Sequence, residues 1–101
     1  MQYLVLGYDG KDDQALARRL AVRDRHLAYG DEMKARGNLL YGAAILDDAE
    51  RMIGSMMVLD FPDRAELEAW LAGEPYVEGA VWQDITIQPC RVGPAFADGT
   101  G

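Results

Sequence analysis

Four short apolar runs along this chain have the pattern of β-strands. The first, Gln2 to Tyr8, is rich in residues that favour strands and is followed by the turn signal Asp9-Gly10. Leu39 to Leu46 and Ile53 to Phe61 are separated by an acidic turn region, which favours an antiparallel hairpin. Val81 to Pro89 alternates apolar and polar residues, as a half-buried strand does.

Between the first two strands the pattern changes to helical periodicity. Lys11 to Arg36 contains no proline and is dominated by good helix formers. Its apolar positions Leu16, Leu20 and Leu27 form one stripe, which we interpret as the core-facing side of the helix. Gly37 supplies the stop signal at the end of the helix.

A second helix is predicted between the third and fourth strands. It begins at Asp63, a capping residue followed by Glu66 three positions later, and it ends at Gly73. Pro75 begins a further short helical turn, because its fixed φ suits the first position of a helix. The resulting order, β-α-β-β-α-β, predicts an α+β protein of the ferredoxin-like type, with an antiparallel sheet covered by helices on one face.

Both faces of the predicted sheet are apolar. In the third strand, Met57 and Leu59 point to one side while Met56 and Val58 point to the other. An exposed apolar sheet face of this size would promote aggregation of a monomer. We therefore expect a homodimer in which the sheet of a second subunit packs against the uncovered face.

Length and charge narrow the classes of protein to consider. With 101 residues the chain has room for one domain, which we assign to residues 1–92, followed by a flexible C-terminal tail over residues 93–101. Seventeen acidic residues against ten basic residues give a net charge of −7, which repels phosphate backbones and anionic lipids. Nucleic acid and membranes are therefore not expected partners.

The single cysteine points to a reducing compartment, and the hydropathy excludes a membrane-spanning helix. The chain has one cysteine, which cannot close a disulfide within the chain. Its apolar runs are far shorter than the ~20 residues that a membrane helix needs. The N-terminus lacks the basic segment of a signal peptide, so we expect a cytoplasmic protein.

The first helix also carries a row of polar positions. Arg19, Arg23, His26 and Gly30 follow one another on one side of it and border the leucine stripe. Arg23 lies so close to that stripe that it needs an anionic partner or a wet cleft. Two interpretations stay open: the arginines extend along the apolar stripe to surface carboxylates, or together with Gly30 they bracket a small anion beside His26.

His26 is the only histidine in the chain and hence the natural general base or acid, although a lone histidine is more often structural. No second histidine or cysteine cluster has the spacing of metal ligands, so no metal site is expected. Glu74 precedes the turn that begins at Pro75, where it either caps that turn or orients a nearby imidazole.

Ser55 and the remaining polar or aromatic candidates are less specific. Ser55 follows Gly54 within the third strand, where it is either a small packing residue or a hydrogen-bond donor to a ligand. We interpret Cys90 and both tryptophans as packing groups. No glycine fingerprint for a dinucleotide or a phosphate is present, so no cofactor is expected.

Taken in order, five short motifs resemble the YciI-like (YCII-related) family of small proteins. They are Arg23-x-x-His26-Leu27, Gly37-x-Leu39-Leu40-x-Gly42, Gly54-Ser55, Trp70 and Glu74-Pro75-Tyr76-Val77. The resemblance extends from Met1 to about Val92. It implies a ferredoxin-like fold of the dimeric α+β barrel group.

The resemblance also implies a site. Members of the family carry a proposed His and Asp pair, and relatives include dehydrochlorinating enzymes that act on chlorinated aromatic breakdown products. His26 would then transfer the proton, and Glu74 stands where the family usually has Asp. Because glutamate is one methylene longer, the pair is either reached with altered geometry or no longer required.

We therefore expect a pocket between the first helix and the sheet that binds a small anionic or cyclic organic molecule. If the protein is catalytic, the reaction is a cofactor-free proton abstraction leading to elimination or isomerisation, with His26 as the base and Glu74 orienting it. The predicted substrate-binding residues are Arg19, Arg23, Ser55 and Tyr76. The alternatives are a non-catalytic metabolite-binding or accessory module and an enzyme that oxidises a bound aromatic compound.

Overall fold

The computed structural model describes residues 1–96. In chain order the elements are β1 (Gln2–Asp9), α1 (Ala15–Ala35), β2 (Leu39–Leu46), β3 (Met52–Asp60), α2 (Arg64–Ala72), α3 (Pro75–Glu78), β4 (Trp82–Cys90) and a 3-10 turn (Pro94–Phe96). That turn occupies the start of the predicted tail, and residues 97–101 lie outside the described residues. None of the helices within residues 1–96 has the length and hydropathy of a membrane-spanning segment.

The four strands form one antiparallel sheet. Their order across the sheet is β2-β3-β1-β4, so β1 lies between β3 and β4. Helix α1 connects β1 to β2, and the pair α2–α3 connects β3 to β4. This connectivity is the ferredoxin-like topology, and it confirms the predicted α+β fold.

The core lies between the helices and one face of the sheet. On that face β1 contributes Tyr3 and Val5, and β3 contributes Met57 and Leu59, all buried. Helix α2 packs onto them through its buried residues Leu67, Trp70 and Leu71. As predicted, its N-terminus is capped by the side chain of Asp63, which accepts a hydrogen bond from the backbone N–H of Glu66 at 2.9 Å.

The opposite face of the sheet is apolar at its centre, and no helix of residues 1–96 covers it. The register places Leu4 beside Val58 and Leu6 beside Met56. Tyr41 of β2 extends the first of these rows and is exposed. The two-sided apolar sheet predicted from the alternation of residues is therefore present.

Helix α1 is oriented differently from the prediction. Leu16, Leu20 and Leu27 are 42%, 53% and 45% exposed, so the interpretation of the leucine stripe as the core-facing side is wrong. The helix instead buries Arg19 and Met33. The reason is tertiary, because the polar partners of Arg19 lie in the sheet and draw this side of the helix inward.

The ends of α1 follow from local hydrogen bonds. The helix begins at Ala15 rather than Lys11, because the carboxylate of Asp12 accepts a hydrogen bond from the backbone N–H of Gln14 and forms a turn ahead of it. At the other end Gly37 has φ +82° and its N–H donates to the carbonyl of Lys34, which ends the helix where the sequence predicts.

Candidate active site

A cleft of about 470 Å³ opens between α1 and strands β2 and β3, on the helix-covered side of the sheet. Gly30 of α1 and Gly42 and Ala44 of β2 line it. Because these residues have little or no side chain, the helix and the edge strand do not fill the space between them. All four residues of the polar row predicted on the first helix line this cleft: Arg19, Arg23, His26 and Gly30.

The structure brings His26 and Glu74 together. Nδ1 of His26, in α1, lies 2.7 Å from Oε1 of Glu74, which immediately precedes α3. The Glu74 side chain is 1% exposed and that of His26 is 19% exposed. The same Oε1 accepts a hydrogen bond from the backbone N–H of Tyr76 at 3.2 Å. Glu74 therefore caps α3 and contacts the imidazole through the same oxygen.

The hydrogen bond to Glu74 determines which nitrogen of His26 is available. A carboxylate only accepts hydrogen bonds, so Nδ1 carries the proton that is shared with Glu74. In the neutral imidazole Nε2 then has the free lone pair, and it has no hydrogen-bond partner within residues 1–96. This is the arrangement of a histidine base oriented by an acid.

Two aromatic rings hold the imidazole in place. The ring of Tyr76 stacks on that of His26 with centroids 3.8 Å apart and an interplanar angle of 6°. Trp82 meets His26 edge-on at 5.9 Å. Burial raises the pKa of the Tyr76 hydroxyl, an effect that the charges of Arg19 and Arg23 partly offset. Tyr76 therefore keeps its proton at neutral pH.

Arg19 lies at the sheet end of the cleft in a buried ion pair. Its Nη1 lies 2.9 and 3.2 Å from the two carboxylate oxygens of Asp9, and the two side chains are 3% and 4% exposed. The interpretation of Arg19 as a cation that reaches a surface carboxylate is therefore wrong. Burial raises the pKa of Asp9, and the charge of Arg19 opposes that shift.

Ser55 connects this ion pair to an aromatic residue that sequence reasoning treated only as packing. Its Oγ accepts hydrogen bonds from Nη2 of Arg19 at 2.9 Å and from Nε1 of Trp82 at 3.3 Å. One feature of the sequence could have indicated this role of Trp82. Gly7 lies within a strand, where a glycine often marks a close approach of another group to the backbone. A Cβ on Gly7 would come within 2.4 Å of the indole, so Trp82 packs directly on the backbone of β1.

Arg23 lines the open part of the cleft. It is exposed and forms no salt bridge within residues 1–96. The described residues therefore supply no anionic partner for Arg23. Of the two surroundings expected for this side chain, it has the open cleft. Within the same residues, no group of three or more His, Cys, Asp or Glu side chains is arranged to hold a metal ion.

Comparison with known proteins gives the same fold and names the family. The family model of the YCII-related domain matches residues 1–91. The chain belongs to the YCII-related family. An uncharacterised protein of Haemophilus influenzae is 30% identical to this YCII-related chain over 97 residues, which cover 90% of this chain and 97% of that protein.

Solved structures of similar fold include one with a bound small molecule. It is the 5-chloro-2-hydroxyhydroquinone dehydrochlorinase of Burkholderia phenoliruptrix AC1100 in complex with 2,5-dihydroxybenzoquinone, with a TM-score of 0.79 and 20% identity over 94% of this chain and 98% of that one. A dimeric ferredoxin-like protein of unknown function from Jannaschia sp. CCS1 has a TM-score of 0.55 and 14% identity, over 90% and 98% of the two chains. At these identities the similarity establishes the fold alone.

Proposed function

We propose that this YCII-related chain is a cofactor-independent lyase or isomerase that takes a proton from a small anionic or cyclic organic molecule bound in the cleft. The observation that carries the proposal is the 2.7 Å contact between Nδ1 of His26 and Oε1 of Glu74 at the wall of the cleft. It directs Nε2 of His26, which has no partner in residues 1–96, toward the role of the base. The dehydrochlorinase of similar fold supports a cyclic substrate.

Five of the residues that line the cleft have a role in this reaction. Nε2 of His26 receives the substrate proton, and the buried carboxylate of Glu74 stabilises the imidazolium that forms. Arg23, exposed at the cleft, holds the negative charge of the substrate. Ser55 donates a hydrogen bond to the substrate. Tyr76 keeps the imidazole oriented through ring stacking and completes the wall of the pocket.

Arg19 has a different role in this proposal from the one predicted. Its guanidinium is held by Asp9 and Ser55, so it is not available to bind the anionic group of a substrate. It supports the site from behind by fixing Ser55. Of the two arginines, only Arg23 is therefore assigned the contact with the anionic group of the substrate.

Crystals soaked with small carboxylates, phenolates and 2,5-dihydroxybenzoquinone test this proposal. We expect density within hydrogen-bond distance of Nε2 of His26 and an anionic group of the ligand against Arg23. Deuterium uptake from heavy water into the same compounds, followed by NMR, then separates catalysis from binding. Uptake above the rate in buffer supports the enzyme, whereas a ligand bound beside His26 without uptake supports a metabolite-binding module. Density at another site only would contradict both.

We also propose that two copies of the chain pair through the uncovered sheet face. That face has an apolar centre formed by Leu4, Leu6, Met56 and Val58. Solved structures of similar fold are described as dimeric. Pairing would remove this apolar area from water and cover the face without a further element of the chain.

A charge at the centre of this face is expected to separate the subunits. Val58→Arg places a guanidinium in the proposed interface, and light scattering after gel filtration should show a monomer where the unmodified protein is a dimer. Leu20→Arg is the matched control, because Leu20 is an exposed leucine on α1, away from the sheet face. A Val58→Arg variant that stays dimeric would place the interface elsewhere.

A further inference from the structure

The hydroxyl of Ser55 has both of its lone pairs occupied. One accepts from Nη2 of Arg19 at 2.9 Å and the other from Nε1 of Trp82 at 3.3 Å. A serine hydroxyl has one hydrogen to donate and two lone pairs with which to accept. Within residues 1–96 no acceptor receives that hydrogen, and Ser55 lines the cleft. Toward a molecule in the cleft, Ser55 is therefore a donor and not an acceptor.

The two groups that hold Ser55 are themselves buried and held by further contacts. Arg19 is fixed by the paired oxygens of Asp9 in a region almost closed to water. Trp82 is 4% exposed, packs on Gly7 and meets the ring of Tyr76 edge-on at 5.5 Å. Because neither donor can swing away, the hydroxyl cannot turn to accept from a ligand without losing one of these hydrogen bonds.

The same contacts favour an oxygen that gains negative charge. A hydrogen bond from the cationic Arg19 polarises the Ser55 hydroxyl toward donation. A fixed donor of this kind stabilises a developing oxyanion more than a neutral oxygen, because it needs no rearrangement when the charge appears. Trp82 contacts both Ser55 and His26, so the donor and the base border the same indole ring.

We propose that Ser55 is the oxyanion donor of the site, that Arg19 and Trp82 are its positioning residues, and that the substrates are enolisable cyclic carbonyl compounds. This inference rests on the proposed function. His26 takes the proton from the carbon beside the carbonyl group, and the C–H electron pair forms the C=C bond of an enolate. The C=O π pair moves to the oxygen, which accepts the hydrogen bond of Ser55.

The enolate then has two balanced outcomes. In elimination, the C=O bond re-forms. The C=C pair of the enolate becomes a new C=C bond to the neighbouring carbon that bears the leaving group, and that group departs with its bonding pair. In isomerisation, the enolate takes the proton back at a different carbon. Neither outcome needs an oxidant or a reductant, since the proton on His26 is either released or returned.

Binding of 2,5-dihydroxybenzoquinone, measured by calorimetry, tests the role of Ser55. When ionised at neutral pH this ring carries only acceptor oxygens. We expect Ser55→Ala to weaken binding about tenfold and Trp82→Phe to weaken it about threefold. The double variant should bind no more weakly than Ser55→Ala, because Trp82 acts through the hydroxyl. All variants are made in a Cys90→Ser background to exclude addition of the thiol to the quinone.

Trp70→Phe is the matched control, since the indole N–H of Trp70 has no partner within residues 1–96. In the double variant of Trp70→Phe and Ser55→Ala, the fold-change in binding should equal the product of the two single fold-changes. The indole N–H signal of Trp82 in an NMR spectrum should shift in Ser55→Ala, while that of Trp70 stays in place. A merely structural role for Trp82 would not produce this combination.

Three outcomes would overturn the inference. They are unchanged binding in Ser55→Ala, multiplying effects of Ser55→Ala and Trp82→Phe, and failure of the unmodified protein to bind the probe. The first two leave the proposed proton transfer by His26 standing, because that proposal is judged by deuterium uptake into the bound compound. If the unmodified protein neither binds the probe nor catalyses deuterium uptake into it, the proposed function is overturned as well.

Discussion

Replacement of Arg19 by methionine is expected to lower the free energy of unfolding by about 3–5 kcal/mol. The methionine keeps much of the apolar volume of the arginine stem, so the loss is due to the charge that stays behind. Asp9 would be left buried without its cation, and Ser55 would lose one of its two donors. Urea unfolding followed by circular dichroism measures the effect.

Arg18→Met is the matched control for this prediction. Arg18 is the preceding residue of the same helix and forms a similar ion pair with Asp12, but both side chains have access to solvent. No loss comparable to that of Arg19→Met is expected, because water and salt screen a pair of this kind. Equal losses in the two variants would show that burial of the Asp9 pair is not the cause.

The loss of stability in Arg19→Met should depend on pH, and the direction of that dependence shows whether the Asp9 carboxylate causes it. Burial raises the pKa of Asp9 above its ordinary value of 3.8, and Arg19 opposes the shift. An acid with a raised folded-state pKa contributes stability below 3.8 that is lost as pH rises through the folded-state value. Without Arg19 that pKa rises further, so the deficit of the variant should grow from acidic to neutral pH. A deficit that is the same at both would exclude Asp9.

Replacement of Glu74 by glutamine is expected to lower the rate of proton transfer about 10²–10⁴-fold. Glutamine keeps the length of the side chain and an oxygen that can accept from the backbone N–H of Tyr76, so the cap of α3 can survive. It has no charge with which to stabilise the imidazolium of His26. It can also present its NH₂ group to Nδ1, which would select the wrong tautomer.

Deuterium uptake into a bound cyclic ketone or hydroxyquinone measures this loss. Glu78→Gln removes an exposed carboxylate from the same short helix and should leave uptake unchanged. Combining Glu74→Gln with His26→Gln should lower the rate no further than His26→Gln alone, since the two residues act as one unit. Full activity in Glu74→Gln would reduce Glu74 to a helix cap, the simpler interpretation of its place before Pro75.

Local signals in the sequence predicted the elements of this fold well. The capping pair Asp63 and Glu66, the stop at Gly37 and the turn at Pro75 depend on neighbouring residues, and the structure contains each of them. Strand alternation likewise depends only on the backbone, so the two apolar faces of the sheet could be read directly. The pairing of His26 with Glu74 was expected from the family resemblance alone, because residue spacing says nothing about contact between residues 48 positions apart.

The orientation of α1 could not be read from the sequence in the same way. Three leucines at helical spacing predicted the inward side, yet the helix turns Arg19 inward and leaves those leucines exposed. A charged residue can face the core only where partners neutralise it, and hydrophobic periodicity does not show where such partners are. Here the partners are Asp9, taken from the sequence as part of a turn, and Ser55, on a strand 36 positions away.

The sequence by itself determined the α+β class, the order of the strands and helices, the two-sided apolar sheet and the residues able to carry acid–base chemistry. Those properties depend on periodicity, turn residues and side-chain type, which are local. Only the tertiary structure decided which side of α1 faces inward, that Asp9 neutralises Arg19, and that Trp82 and Arg19 together hold Ser55. Such contacts depend on how distant segments pack, because a hydrogen bond or an ion pair between them exists only once the sheet and helices have been brought together.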